Sequence, residues 1–237
     1  MNKIGIIGAM DVELSILLNE MKKNPNFSQK EEGSLTFYEG ILNNKNVVVV
    51  KCGIGKVNAA LCTQRLILSF GVDCIINTGI AGALQSGLGV FDMVVSTEAV
   101  YHDMDVSNFG YKVTQIPQMK DSVFKADSKM IEIAEKAFNF VKDLKGTKII
   151  KGRIASGDQF ICDKAKKEYI QNVANPSCVE MEGAAIAHAC YLNKIPFVIL
   201  RCMSDMADES AEKTYDFNEK SAGEESAKIV LEMTKNL

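Results

Sequence analysis

Two glutamates separated by one methionine, in Val179-Glu180-Met181-Glu182-Gly183, stand at the entrance of an alanine-rich segment that is otherwise almost uncharged. Acids favour helix N-termini through the macrodipole, at ~0.3–1 kcal/mol each, which accounts for one of them. A second carboxylate against apolar neighbours needs pairing or hydrogen bonds. A ligand bearing hydroxyl donors would supply them. Asp205 closes another apolar run, Pro196–Leu200 continued by Arg201-Cys202-Met203-Ser204-Asp205. It reads either as the ion-pair partner of Arg201 or as an acid whose pKa is raised by burial until it can donate a proton. Glu13 follows a third run, in Gly8-Ala9-Met10-Asp11-Val12-Glu13. Gly79-Ile80-Ala81-Gly82 is either a tight turn or a place where backbone amides approach a ligand.

Other chemistries lack their residues. Neither Gly5-Ile6-Ile7-Gly8 nor Gly53-Ile54-Gly55-Lys56 is a dinucleotide fingerprint, and there is no Walker A motif or nucleophile elbow. His102 and His188 are the only histidines. His102-Asp103-x-Asp105 falls short of a metal motif, and His188 sits in an alanine-rich helix as a core residue. The seven cysteines are odd in number, widely spaced and mostly in apolar runs, as reduced, buried thiols are. The chemistry rests on carboxylates, with no metal and no cofactor expected.

The elements that must position these residues alternate from end to end. Strands are predicted over Ile4–Ala9, Leu35–Ile41, Asn46–Cys52, Cys74–Thr78, Val90–Thr97, Lys148–Ala155 and Pro196–Leu200. Helices are predicted over Asp11–Lys22, Lys56–Phe70, Ala126–Val141, Glu182–Tyr191 and Asn218–Lys235, with a short lysine-rich helix capped by Asp163. Asn43-Asn44 makes a polar turn, and Val47–Val50 reads as a strand buried on both faces. Asn24–Gly33 and the stretch around Val106–Ser122 are expected to be weakly ordered. The economical architecture is one α/β domain over residues 1–237 with a largely buried, mixed sheet.

Lysine and arginine total 27 and aspartate and glutamate 30, a net charge of −3. That argues against a nucleic-acid binder or a membrane-surface protein. Lys164, Lys166 and Lys167 read as a solvated helix face. No leader-like run precedes the first strand and no apolar run approaches the ~18 residues of a membrane span, so a cytoplasmic location is expected.

In order, the segments I-G-I-I-G-A-M-x-x-E, G-I-G-K-V-N-A-A, I-I-N-T-G-x-A-G, Y-H-D-x-D-V, F-G-Y, S-G-D-x-F-I, V-E-M-E and R-x-x-S-D-x-A-D run nearly the length of the chain. Together they resemble the 5′-methylthioadenosine/S-adenosylhomocysteine nucleosidases of the purine nucleoside phosphorylase superfamily. The resemblance implies a mixed, barrel-like sheet flanked by helices and a homodimer whose sites borrow residues across the interface. It implies cofactor-free hydrolysis of the N-glycosidic bond, releasing adenine for methionine salvage. By the same resemblance Glu13 activates water and Asp205, oriented by Ser204, protonates purine N7. Glu182 holds the ribose hydroxyls, Met181 packs on the sugar, and Glu180 and Arg201 support it. Phe160 stacks on adenine, Ile161 bonds its edge and Phe217 covers its side. Phe109 and Pro117 come from the partner, while Met10 and Ile54 are apolar lining. Ile80, beside Ala81 and Gly82, stands where many members carry serine. The nearest alternatives are hydrolysis of another 5′-substituted adenosine, such as aminodeoxyfutalosine or 5′-deoxyadenosine, and phosphorolysis. A non-catalytic nucleoside binder would be expected to lack one of Glu13, Glu182 and Asp205.

Overall fold

The computed structural model describes residues 1–237. Strand β1 (Lys3–Gly8) runs parallel between β4 (Lys45–Lys51) and β5 (Cys74–Ala83). Such a strand is covered on both faces, and Ile4–Gly8 and Val47–Val50 are all buried, as their unbroken apolar runs require. Strand β3 (Leu35–Leu42) joins β4 through Asn43 and Asn44, with φ of +48° and +66°. This two-residue hairpin turn twists with the strands it connects.

Beyond β5 the sheet curls closed. β5 also pairs in parallel with β10 (Phe197–Asp205), which runs antiparallel to β6 (Met93–Tyr101). β6 pairs with β8 (Ile149–Ser156), β8 with β9 (Cys178–Glu180), and β9 returns to the end of β5. These five strands form the expected mixed barrel, and β1, β4 and β3 extend from it. The short β7 (Phe124–Lys125) pairs with β6.

Helices cover two apolar faces. α1 (Asp11–Met21), α3 (Ser128–Phe140) and α6 (Ala211–Met233) pack on one, through residues such as Leu17, Ala134 and Val230. α2 (Lys56–Phe70) and α5 (Gly183–Asn193) pack on the other, through Leu66 and Ile186. α4 (Lys164–Ala174) covers a smaller cluster containing Ile161 and Val179. The Asp163 cap predicted for α4 is present, accepting from Lys166 N–H, and Asp127 caps α3 in the same way, accepting from Met130 N–H.

Some boundaries differ from expectation. Residues 28–32, within a stretch expected to be weakly ordered, instead form an edge strand, β2 (Ser28–Glu32), paired to β3. Its Ser-Gln-Lys-Glu-Glu sequence has no apolar face to read, and charge suits an unprotected edge. Gly79-Ile80-Ala81-Gly82 is neither a turn nor a loop but the second half of β5, buried throughout. β10 runs on to Asp205, and α6 begins at Ala211 rather than Asn218. All seven cysteines are free, six of them buried and Cys162 half-buried. The lysine face is solvated only in part, because Lys167 Nζ donates to the carbonyl of Met206.

Candidate active site

A cavity of about 540 Å³ opens where β1, β5 and β10 end. Ligands collect at such carboxyl ends of parallel strands, and the volume suits a small molecule. Its wall takes Met10 and Glu13 from the start of α1, Ile54 from the turn before α2, and Ile80, Ala81 and Gly82 from β5. Phe160 and Ile161 follow β8; Glu180, Met181 and Glu182 lead into α5; Ser204 and Asp205 end β10. Segments far apart in sequence thus bring thirteen of the predicted site residues to one cavity.

Glu13 lies in the first turn of α1 and is 2% exposed. Its Oε2 accepts from the N–H groups of Ala9 (2.6 Å) and Met10 (3.0 Å), and its Oε1 from that of Ile80 (3.1 Å). Burial raises its pKa, while Arg201 and these N–H groups pull it down; the balance is upward. Ile80 therefore contributes a backbone donor where its side chain has none.

Glu180 and Glu182 divide the work that the sequence assigned to both. Glu180 Oε2 accepts from the N–H groups of Glu182 (3.0 Å) and Gly183 (2.8 Å) and from Arg201, while Oε1 accepts from the Ser156 hydroxyl. Its bonding capacity is filled by the protein itself, and it holds the start of α5. Glu182 Oε1 accepts from Gly55 N–H at 2.9 Å, and Oε2 lies 3.6 Å from Arg201 Nη2. Burial, then the charge of Glu180, pushes the Glu182 carboxyl up to about 8 against the pull of Arg201 and Gly55.

Arg201 is fully buried and is not part of the cavity lining. It donates to the Thr78 carbonyl (3.3 Å) and Asn77 Oδ1 (2.7 Å) as well as to Glu180. Burial opposes its charge, but Glu180, Glu182 and Glu13 outweigh burial and hold it protonated. An Arg201–Asp205 ion pair does not form. The two residues lie four positions apart along β10, with a bulge between Met203 and Asp205, and that length of strand separates them by ~13 Å.

Packing around this guanidinium leaves no room on β5. A Cβ on Gly79 would sit 1.9 Å from Arg201 Nη1 and 2.5 Å from Glu13 Oε1. Gly79→Ala is expected to lower stability by ~1–3 kcal/mol, the usual cost of overpacking. At ~2–4 °C per kcal/mol the melting temperature should drop by several degrees. A thermal scan matching wild type would show that the guanidinium yields without cost.

The raised Glu182 carboxyl also sets a pH dependence. Between ~4.5 and ~8 the folded protein keeps a proton that the unfolded chain has lost, so folding stability falls as pH rises through that window. The urea midpoint should be higher at pH 5.5 than at pH 8.5, with a smaller difference in Glu182→Gln. Equal slopes in the two proteins would remove Glu182 as the cause.

Asp205 is 2% exposed. Its Oδ2 accepts from the Ser204 hydroxyl and its Oδ1 from Ala207 N–H, each at 2.8 Å. Burial raises its pKa, and those two donors oppose the rise without cancelling it.

Besides Arg201, three predicted residues lie away from the cavity lining. Phe109, 81% exposed, sits in a one-turn 3-10 helix, and Pro117 is half-buried in the irregular stretch after it. Phe217 is 87% exposed on the outer side of α6. Tyr215 takes the inward position, its ring 5.5 Å from that of Phe160 in an edge-to-face arrangement. With α6 starting at Ala211, positions 215 and 217 point ~200° apart, so only one can face the cavity. Gln159, Glu212 and Asp216 also line it and were not expected. Ser210 as N-cap and Glu212 in the first turn are the signals that place the helix start, and hence Tyr215, correctly.

A model of the phosphorylase superfamily matches residues 3–235. A 5′-methylthioadenosine/S-adenosylhomocysteine nucleosidase from Exiguobacterium sp. is 42% identical over 236 residues, covering 99% of this chain and 98% of that protein. The chain belongs to this nucleosidase family. It is an N-ribosyl hydrolase. The crystal structure of the Neisseria meningitidis nucleosidase in complex with methylthio-immucillin-A shares 40% identity and a TM-score of 0.93, covering all of both chains. A futalosine hydrolase mutant from Helicobacter pylori shares 33% identity and a TM-score of 0.92, again over both whole chains. The barrel and the family expected from the sequence motifs both stand. No helix of this nucleosidase family member is long and apolar enough to cross a membrane.

Proposed function

We propose that this hydrolase releases adenine from 5′-methylthioadenosine and S-adenosylhomocysteine, with Asp205 as the acid and Glu13 as the base. One observation carries this reading: two buried carboxyls with raised pKa values stand against the same strand. Glu13 meets β5 at Ile80, and Asp205 lies against Gly82, two residues further on. Two residues of strand are ~7 Å, close enough for both carboxyls to reach one bound nucleoside, with a water between Glu13 and the sugar.

The chemistry follows from where charge moves. As the bond from C1′ to N9 breaks, the sugar becomes cationic and the purine anionic. Asp205 gives its proton to purine N7, so adenine leaves neutral. Glu13 takes a proton from water, whose oxygen bonds to C1′. Glu182 accepts from the ribose hydroxyls, and in its ionised form its charge beside Glu13 favours the developing cation. Phe160 stacks on the base, with Ile161 at its edge and Tyr215 across from the ring. Met10, Ile54 and Met181 line the sugar's 5′ side, and Ala81 and Gly82 keep the strand slim there. Phe109 and Pro117 complete the partner's site in a homodimer, a role that the exposure of Phe109 supports.

A carboxylate at the attacking position suits water and repels phosphate dianion. The test is adenine release from 5′-methylthioadenosine with and without phosphate. Adenine and free 5-methylthioribose, independent of phosphate, support the proposal. A phosphate requirement with sugar 1-phosphate as product overturns it. Higher kcat/KM on aminodeoxyfutalosine or 5′-deoxyadenosine would move the substrate and leave the mechanism.

A further inference from the structure

Beside the cavity, four polar side chains form a cluster that the reaction above does not use: Lys56, Asp103, Asp158 and His102. Lys56 Nζ lies 2.5 Å from Asp103 Oδ2 and 3.7 Å from Asp158 Oδ2. Asp103 Oδ2 also accepts from Asp158 N–H at 3.1 Å, and Asp158 Oδ1 accepts from Lys56 N–H at 2.9 Å. His102 is buried with neither ring nitrogen hydrogen-bonded, and a Cβ on Gly157 would sit 2.3 Å from its Nε2. Its packing fixes the chain beside Asp103.

The cluster ties together two loops that build different walls. The Gly53–Gly55 turn supplies Ile54 and the N–H that meets Glu182; the segment after Gly157 supplies Phe160 and Ile161. Gly53 and Gly55 have φ of +83° and +99°, a region only glycine enters freely, so the turn has little stiffness of its own. Lys56 opens α2, where a cation opposes the helix dipole. Helix stability therefore does not account for this lysine, whereas two facing aspartates do.

We propose that Asp103 and Lys56 form a clamp that fixes the Gly53–Gly55 turn and keeps the Gly55 N–H on Glu182. They are positioning residues, and the proposal rests on the reading of Glu182 given above. The groups facing Glu182 are Glu180 from β9, Arg201 from β10, Glu13 from α1, Cys52 after β4 and the Gly55 N–H. Of these, the clamp governs only the last. Without that donor the ionised carboxylate is less favoured, and the acid limb of the rate profile moves to higher pH.

The experiment is the pH profile of kcat/KM for adenine release from 5′-methylthioadenosine in wild type, Asp103→Asn, Lys56→Met and Lys56→Arg. The acid limb should move up by about half a pH unit or more in Asp103→Asn and Lys56→Met, a loss of about threefold or more on that limb. Lys56→Arg should keep the wild-type profile. Asp103→Asn removes a negative charge and Lys56→Met a positive one, so a shared direction excludes a through-space charge effect. A merely structural role would lower the rate equally at every pH. An unmoved limb, or limbs moving in opposite directions, overturns the clamp. Should one variant not fold, the other carries the test. Should Glu182→Gln retain full activity, the reading of Glu182 fails instead. The clamp is then judged by amide hydrogen exchange at Gly55, which must accelerate about tenfold or more in Asp103→Asn and is expected to do so.

Discussion

Asp205→Asn is expected to cut adenine release by ~10²–10⁴-fold, the range for loss of a general acid, while the fold stays intact. Asparagine has the shape of aspartate and no proton to give. Its surroundings accept the change. The introduced amide can keep its oxygen on Ala207 N–H, and its NH₂ can donate to the Ser204 hydroxyl, which rotates to accept. Burial disfavours the charged form of Asp205, so a neutral side chain suits this site. Melting temperature should stay within a few degrees of wild type, and 5′-methylthioadenosine should still bind. Near wild-type turnover would remove Asp205 from the mechanism. Ser204→Ala tests orientation separately: it leaves the acid and removes one donor to it, so the loss should be far smaller.

The sequence carried the site further than it carried the roles. Glu13, Glu180, Glu182 and Asp205 stand out as acids beside apolar runs, and all four line the cavity. That logic could not tell a carboxylate awaiting a ligand from one satisfied by the protein. Glu180 is the second kind: a serine from β8, an arginine from β10 and two helix N–H groups saturate it. None of those partners except Gly183 and Glu182 is near in sequence. The glycines of β5 misled for a related reason. Glycine within an apolar run reads as a turn, yet Gly79 stays in the strand because Arg201 and Glu13 approach its backbone. Periodicity found the buried strands and most helices. It failed for β2, which has no apolar face, and for the polar first turns of α6, where capping residues held the information. With the helix starting at Ala211, Tyr215 lines the cavity and Phe217, named through the family resemblance, lies on the outer side.

Glu13→Gln is expected to lose both turnover and stability, and the pairing separates it from Asp205→Asn. The rate should fall by ~10²–10⁴-fold, because a neutral amide cannot take a proton from water. The stability loss comes from hydrogen-bond polarity. Three backbone N–H groups, of Ala9, Met10 and Ile80, point at the two carboxylate oxygens. A glutamine must turn its NH₂ toward at least one of them, donor against donor, at a side chain only 2% exposed. A buried unsatisfied donor costs ~1–3 kcal/mol, and the loss is least if the amide faces Ile80 and greatest if it faces Ala9 and Met10. Arg201 loses one of three counter-charges in the same step. At ~2–4 °C per kcal/mol the melting temperature should fall by about 2–12 °C. Lost turnover with unchanged melting would mean that water re-pairs the orphaned donors, leaving the catalytic role intact. Wild-type turnover with lowered melting would make Glu13 a helix cap alone, with the attacking water activated elsewhere.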